Sequence, residues 1–247
     1  MTIRPELDYP FSQIPEPGGI IDVAPGIKWL RMPLPMALDH INLYLVEDYD
    51  GWWVIDTGFG LRETQDLWQK IFKNELDGKP VKAVLCTHMH PDHIGQAGWI
   101  CDSLRVPLYM SAPDYYQACT YRAMTSSEMK WTTEEFFRRA GLGDDFIDKL
   151  KNRIGSFGSI VEPIPGAFRR LTDGLYLTIG NNRWRVVTGY GHSPEHVCLY
   201  SETLNVLISG DQVIPRITSN ISVGPGEPEA NPLSAWPVSY THLRAHE

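Results

Sequence analysis

Short apolar runs separated by turn-forming residues predict a series of β-strands in the first third of the chain. Such runs occupy residues 27–31, 41–46 and 52–55. The sequence DYDG at 48–51 separates the last two and is typical of a hairpin turn. Residues 1–19 are rich in proline and predict an extended N-terminal arm.

The following stretch changes from strand-like to helical periodicity. Apolar residues recur at helical spacing and predict an amphipathic helix over about 61–77; they are Leu67, Trp68, Ile71, Phe72 and Leu76. The compact apolar run at 81–86 predicts a buried strand, and 93–104 predicts the helix after it. Strands that alternate with helices predict an α/β fold in which helices cover a sheet.

The segment from about 111 to 157 differs in character, because aromatic residues and methionines crowd it. Thr132 followed by Glu135 is a capping-box pattern, Gly141 is a helix-stop signal, and Asp144 is a second candidate N-cap. The pattern predicts a helical insertion. One interpretation is a lid over a substrate site, and the other is packing of helix on helix or a dimer contact.

The second half of the chain again predicts short strands at close spacing. The runs lie at 175–179, 184–187, 197–200 and 206–208, and turns such as Asn181-Asn182 join them. The sequence shows no linker and no repeat of solenoid period, so we expect one domain.

Composition narrows the class of protein. A chain of 247 residues with 43% hydrophobic residues can bury a substantial core. Its 22 Lys and Arg against 30 Asp and Glu give a net charge of −8, which argues against a broad nucleic-acid surface. The four cysteines form no C-x-x-C pair, which argues against a disulfide framework or a thiolate zinc site. Without an apolar leader or a membrane-length apolar run, we expect a cytoplasmic protein.

Candidate chemistry is concentrated directly after the predicted strand at 81–86. Three histidines and one aspartate lie within six positions there: His88, His90, Asp92 and His93. Imidazole and carboxylate are natural ligands of zinc, and the end of a strand holds them rigidly. A single histidine is usually structural, but four such groups at this density predict a metal site.

Three more short sequences with polar side chains follow predicted strands in the same way. The sequence GHSPEH contains His192 and His196, SGD contains Asp211, and the upstream DTG begins with Asp56. A glycine next to or near each of them lets the backbone approach closely. Asp56 could also be a simple turn former.

Taken in order, D-T-G, H-x-H-x-D-H, G-H-S-P and G-D resemble the metallo-β-lactamase-fold hydrolase superfamily. The resemblance covers about residues 20–236 and is strongest to its glyoxalase-II-like and lactamase-B2-like branches. It implies an αββα sandwich with two zinc ions at one edge. A mononuclear iron centre is the alternative metal site.

The resemblance also implies a role for each residue. It gives His88, His90 and His192 as ligands of a first zinc, Asp92 and His93 as ligands of a second, and Asp211 as the bridge between them. Asp56 would orient ligands by hydrogen bonds. His196 would orient the ligand loop or contact substrate, and a purely structural role is the other interpretation.

The implied chemistry is hydrolysis of a small thioester or ester by a zinc-bound hydroxide, with Asp92 and Asp211 as catalytic residues. The alternatives are an RNA-cleaving nuclease, an iron enzyme of the persulfide-dioxygenase type, and a metal-binding protein without turnover. The implied partner is a small-molecule substrate, with no membrane and no nucleic acid, and a homodimer is left open.

The family pattern ends with one more histidine, and the C-terminal residues do not supply it convincingly. Residues 238–247 equal the translation of one frame of a transposase sequencing adapter, so we expect 237–247 to be a non-native tail and set His242 and His246 aside. The sandwich over 20–236 would then be incomplete at its C-terminus. Such a chain is expected to be poorly active and prone to aggregation.

Overall fold

Two β-sheets, packed face to face, form the centre of the computed structural model, which describes residues 7–124, 131–151 and 156–244. The strands of the larger sheet are β1 (Ile20–Ala24), β2 (Ile27–Pro33), β3 (His40–Asp48), β4 (Gly51–Ile55), β5 (Val81–Leu85), β6 (Leu108–Ser111) and β7 (Arg169–Leu171). The strands of the smaller sheet are β8 (Tyr176–Ile179), β9 (Asn182–Gly189), β10 (His196–Ser201) and β11 (Val206–Ile208).

Helices connect the strands of the larger sheet and end the described chain. They are α1 (Arg62–Asn74), α2 (Pro91–Ile94), α3 (Ala97–Leu104), α4 (Ala112–Ala123), α5 (Trp131–Arg139), α6 (Asp144–Lys151), α7 (Phe157–Ile160) and α8 (Pro232–Arg244). Among the described residues no helix is both long enough and apolar enough to span a bilayer.

The topology of the larger sheet brings several strand ends to one edge. Its strands follow chain order from β1 to β7; β1 to β4 pair antiparallel, whereas β4, β5, β6 and β7 pair parallel. Since parallel strands end at the same edge, the loops after β4, β5 and β6 lie side by side. The smaller sheet is antiparallel in the order β11-β10-β9-β8.

Two hydrophobic cores lie on the two faces of the larger sheet. In β4, Trp52 and Val54 belong to the core beneath the helices, whereas Trp53 and Ile55 belong to the core between the sheets. Successive side chains of a strand point to opposite faces, so a strand buried on both faces is apolar throughout. The predicted α/β fold, in its sandwich form, is confirmed.

Most predicted strands are present, and three strands were missed. The predicted runs before residue 90 correspond to β2 to β5, and those of the second half to β8 to β11. The strands β1, β6 and β7 were not predicted from the sequence. Both β6 and β7 have at most four residues, and pairing with a neighbour defines them rather than periodicity.

The helix predicted over 93–104 is wrong as a single helix, because the chain breaks between α2 and α3. A Cβ on Gly95 would lie 2.4 Å from the Gly58 carbonyl oxygen, so the backbone approaches another loop there. The Gln96 amide group donates to the Phe59 and Leu61 carbonyl oxygens, at 3.0 and 2.8 Å. These contacts are long-range and leave no periodic signal.

The predicted helical insertion begins at the end of β6 and contains α4 to α7. Thr132 lies inside α5 instead of capping it, and Asp144 is the first residue of α6. Gly141 follows α5 with φ of +85°, as expected for a helix stop. Parts of the insertion, 125–130 and 152–155, lie outside the described residues.

The segment predicted as a tail continues α8 through Pro237. Ser239 is buried, and its hydroxyl oxygen accepts a hydrogen bond from the Tyr190 amide at 2.8 Å. The side chains of His242 and His246 lie outside the described part of the chain. The non-native origin of 237–247 stays a prediction.

Candidate metal centre

Three histidine side chains converge where the loop after β5 meets the loop after β9. The Nε2 atom of His88 lies 2.8 Å from Nδ1 of His90 and 3.1 Å from Nε2 of His192. The same His90 and His192 atoms are 3.0 Å apart. Residues separated by more than 100 positions therefore point one nitrogen each at a common centre.

Hydrogen bonds indicate which nitrogens of His88 and His192 carry a proton. The Asp56 carboxylate can only accept, so the Thr87 hydroxyl donates to it, at 2.8 Å. That hydroxyl can then only accept a hydrogen bond from Nδ1 of His88, at 3.0 Å. With the proton of the neutral ring on Nδ1, Nε2 of His88 has a free lone pair.

His192 also has a free lone pair on Nε2, because of a different hydrogen bond. Its Nδ1 donates to the Asn220 carbonyl oxygen at 2.9 Å, so its Nε2 is also a lone pair in the neutral ring. Two lone pairs 3.1 Å apart repel each other, and a shared cation removes that repulsion. Tetrahedral zinc with bonds of about 2.0–2.1 Å separates its nitrogen ligands by roughly 3.3 Å, so the trio fits such an ion closely.

A second group of possible ligands adjoins the first. One donor atom each of His88, His93 and Asp211 lies within 4.8 Å of the others. Oδ1 of Asp211 lies 3.5 Å from Nε2 of His93, and Oδ2 of Asp92 lies 3.7 Å from the same nitrogen. That nitrogen is buried without a hydrogen-bond partner among the described residues, which again fits a metal ligand.

Asp211 faces both groups with different oxygens. Its Oδ1 lies near His93, and its Oδ2 lies 3.5 Å from Nε2 of His192. A carboxylate placed in this way suits a bridge between two cations. Its backbone amide donates to Nε2 of His196 at 3.1 Å, and the Ser219 hydroxyl donates to its carbonyl oxygen.

Asp56 and His196 lie beneath the two groups. Asp56 is buried, has a left-handed φ of +62°, and accepts hydrogen bonds from Nδ1 of His93 and the Thr87 amide, at 2.8 and 2.7 Å. His196 is fully buried and stacks on His88, with ring centroids 4.6 Å apart.

Electrostatics divide the cluster into a neutral part and a charged part. Burial lowers the pKa of His88 and His196 well below the usual histidine value, and neighbouring imidazoles lower it further. The pKa of His90 is lowered to about 3 for the same reasons. These rings are therefore neutral near pH 7 and keep lone pairs available.

The charged part surrounds His93. Burial lowers its pKa, but the carboxylates of Asp56, Asp92 and Asp211 outweigh burial and raise it well above the usual value. Burial raises the pKa of Asp92. Burial also acts to raise the pKa of Asp211, but the attraction of His93 and His192 is stronger, so the pKa of Asp211 is lowered. Three carboxylates around one imidazole attract a cation.

A cavity of about 530 Å³ opens beside the histidine trio. His90 and His192 line it, together with Tyr121 of α4, Phe157 of α7 and Tyr190. Part of the predicted helical insertion therefore forms a wall of this cavity. The volume is within the range of small-molecule sites.

A family model described as the metallo-beta-lactamase superfamily matches residues 37–244, most of the chain. The chain belongs to the metallo-beta-lactamase superfamily. The predicted family is thereby confirmed. Proteins of this superfamily are hydrolases that bind metal ions.

The chain is similar to curated proteins of the superfamily that have different names. The chain is 22% identical over 194 residues to the probable metallo-hydrolase YqjP of Bacillus subtilis, covering 77% of the chain and 58% of that protein. It is 25% identical over 201 residues to human acyl-coenzyme A thioesterase MBLAC2, covering 76% of the chain and 63% of that protein. The chain thus spans less than two thirds of the length of these curated relatives.

Two solved structures resemble this superfamily member in sequence and in fold. A beta-lactamase domain protein from Burkholderia ambifaria is 45% identical with a TM-score of 0.86; the match covers 95% of the chain and 68% of that structure. A metallo-beta-lactamase family protein from Thermus thermophilus is 25% identical with a TM-score of 0.71, covering 89% and 69%.

The structure brings together every site residue that the superfamily motifs indicated. These are Asp56, His88, His90, Asp92, His93, His192, His196 and Asp211. Four residues that hold these side chains or their loops were not predicted from the sequence: Thr87, Asp114, Ser219 and Asn220. Only Thr87 adjoins a motif histidine; Asn220 contributes a backbone carbonyl, which no residue type signals.

Proposed function

We propose that this protein is a metal-dependent hydrolase that uses two zinc ions on a small thioester or ester. The observation that carries the proposal is the convergence of His88, His90 and His192 beside a carboxylate, Asp211, that faces two groups of donors. Bound zinc would supply a Lewis acid and would lower the pKa of bound water to near 7.

The residues of the chain have separate tasks in this proposal. His88, His90 and His192 would hold one zinc; His93 and Asp92 would hold the second, with Asp211 between them. Asp92 and Asp211 would contact the attacking water and are the catalytic residues. Asp56 orients His93, and His196 orients Asp211, each through one hydrogen bond.

The cavity supports a small acyl substrate. Its aromatic residues Tyr121, Phe157 and Tyr190 adjoin the polar site at His90 and His192, so an apolar acyl group would lie next to the reacting carbonyl. A thioester is the preferred substrate because a relative that matches 76% of the chain is named an acyl-coenzyme A thioesterase.

The experiment combines metal analysis with turnover. In the parent protein, which would carry the final histidine of the family pattern, we expect two equivalents of zinc and hydrolysis of acyl thioesters or p-nitrophenyl esters. Asp92→Ala should lower the rate of hydrolysis by about 100-fold or more. Asp22→Ala removes an exposed carboxylate of β1 and serves as the matched control.

Other outcomes would contradict this proposal. Iron with oxygen consumption would indicate the dioxygenase type, and RNA cleavage without ester hydrolysis would indicate the nuclease. Stoichiometric metal without any turnover that depends on Asp92 would indicate a metal-binding protein.

A further inference from the structure

One buried carboxylate, that of Asp114, lies outside the proposed ligand set and connects two of its loops. Asp114 is fully buried in the first turn of α4. Its Oδ1 accepts a hydrogen bond from the Met89 amide at 2.9 Å, and its Oδ2 accepts one from the Glu195 amide at 2.7 Å.

These two amides belong to the loops that carry the histidine trio. Met89 lies between His88 and His90, and Glu195 lies three residues after His192. Within the described ranges neither amide donates to a backbone carbonyl. The carboxylate of Asp114 therefore joins segments that are 25 and 81 residues away from it.

The chemistry of the contact requires two oxygens. A carboxylate accepts on both sides, whereas an asparagine amide has one oxygen and would turn its NH₂ group towards one of the two N–H donors. The Ser111 hydroxyl, 3.3 Å from Oδ2, and the N-terminal end of α4 further stabilise the negative charge.

Resting on the proposed function, we propose that Asp114 is a positioning residue that fixes the distance between the two loops and thereby sets the geometry of the first zinc site. Its hydrogen bonds reach the Met89 and Glu195 amides and the Ser111 hydroxyl rather than the three imidazoles. Its effect passes through the backbone at Met89 and Glu195, so a change at Asp114 alters the separation between the His88–His90 pair and His192.

The test measures zinc affinity by competition with a chelator, in the full chain. Asp114→Asn should raise the dissociation constant of the first zinc by about 10–100-fold, the range for residues that orient metal ligands. Leu45→Ala, which empties part of the core in β3, is the control for general loss of stability. It should change the affinity less than threefold.

Two results would overturn the proposal: an affinity of Asp114→Asn within threefold of the wild type, or an equal loss in Leu45→Ala. Hydrogen exchange of the wild-type protein without metal gives a second readout if Asp114→Asn does not fold. The Met89 and Glu195 amides should exchange at least about 100-fold more slowly than freely exposed amides. Free exchange at either would also overturn the proposal.

The two proposals fail in different ways. A wild-type protein that binds no metal, yet protects these two amides, contradicts the proposed function and leaves the connection between the loops in place. A zinc hydrolase that is indifferent to Asp114→Asn contradicts only the positioning role.

Discussion

The Asp56 carboxylate accepts a hydrogen bond from Nδ1 of His93 at 2.8 Å, and both side chains are almost completely buried. Because the carboxylate can only accept, Nδ1 of His93 carries a proton. Nε2 of His93 is therefore directed at Asp211 and Asp92. Asp56 holds this position with φ of +62°, a left-handed conformation that only some non-glycine residues tolerate.

Substitution of Asp56 should weaken zinc binding at His93 more than at the histidine trio. Asp56→Asn keeps a residue type that tolerates left-handed φ, so it removes the charge and one acceptor without adding backbone strain. We expect the affinity for the second zinc equivalent to fall about 10–100-fold in a chelator titration.

Asp77→Asn is the matched control for Asp56→Asn. Asp77 is exposed and also has a left-handed φ, +52°, but it lies in the turn after α1. Equal zinc affinity in the wild type and in Asp56→Asn would contradict the assigned role of the carboxylate.

Gly210, next to Asp211, should not tolerate alanine. A Cβ there would lie 2.7 Å from the His196 ring and 2.9 Å from the Thr87 hydroxyl oxygen, and φ is +48°. Gly78 is also left-handed, with φ of +72°, but nothing lies within 4 Å of its Cβ position. Both substitutions incur backbone strain of about 1–2 kcal/mol.

Gly210→Ala should therefore lower the free energy of unfolding by about 1–3 kcal/mol more than Gly78→Ala does, because the added methyl group also overpacks the site. Urea unfolding of the two variants measures the difference. Equal free energies of unfolding would show that the loop relaxes away from His196.

His196→Phe tests whether His196 acts through its acceptor nitrogen or through its ring. The phenyl ring keeps the stacking on His88 but cannot accept from the Asp211 amide. Loss of this part-buried hydrogen bond should lower the unfolding free energy by about 1 kcal/mol. Zinc affinity at Asp211 should fall as well. A variant that retains both stability and zinc affinity would indicate a role in packing alone.

Asp114 gives the folded protein a specific dependence on pH. Burial raises its pKa from 3.8 to about 6, although backbone hydrogen bonds from Glu195 and Met89 oppose the shift. The folded state therefore binds one more proton than the unfolded state between these values. This contribution to stability is present below pH 3.8 and is lost as the pH rises through about 6.

The asparagine side chain of Asp114→Asn does not titrate, so this variant lacks the pH-dependent contribution. The unfolding free energy of the wild type relative to that of Asp114→Asn should therefore fall by about 1 kcal/mol between pH 5 and pH 7, as measured by urea unfolding without metal. The histidines titrate in both proteins, so their contribution cancels in the difference. A constant difference across this range would contradict the raised pKa.

Part of the fold could be predicted because it is local. The alternating and continuous apolar runs gave β2 to β5 and β8 to β11, since burial on one or both faces leaves a periodic trace. The strands β6 and β7 and the break at Gly95 could not be predicted, because neighbours distant in sequence define them.

The sequence by itself determined which side chains are available for a metal, since His88, His90, Asp92 and His93 are adjacent in the chain and His192 and Asp211 follow short strands. Only the tertiary structure decided which nitrogens face each other, which oxygen of Asp211 faces which group, and that Asp114 joins the two loops. The physical reason is that residue type fixes donor chemistry locally, whereas distances between donors depend on strand pairing and on backbone hydrogen bonds between segments many residues apart.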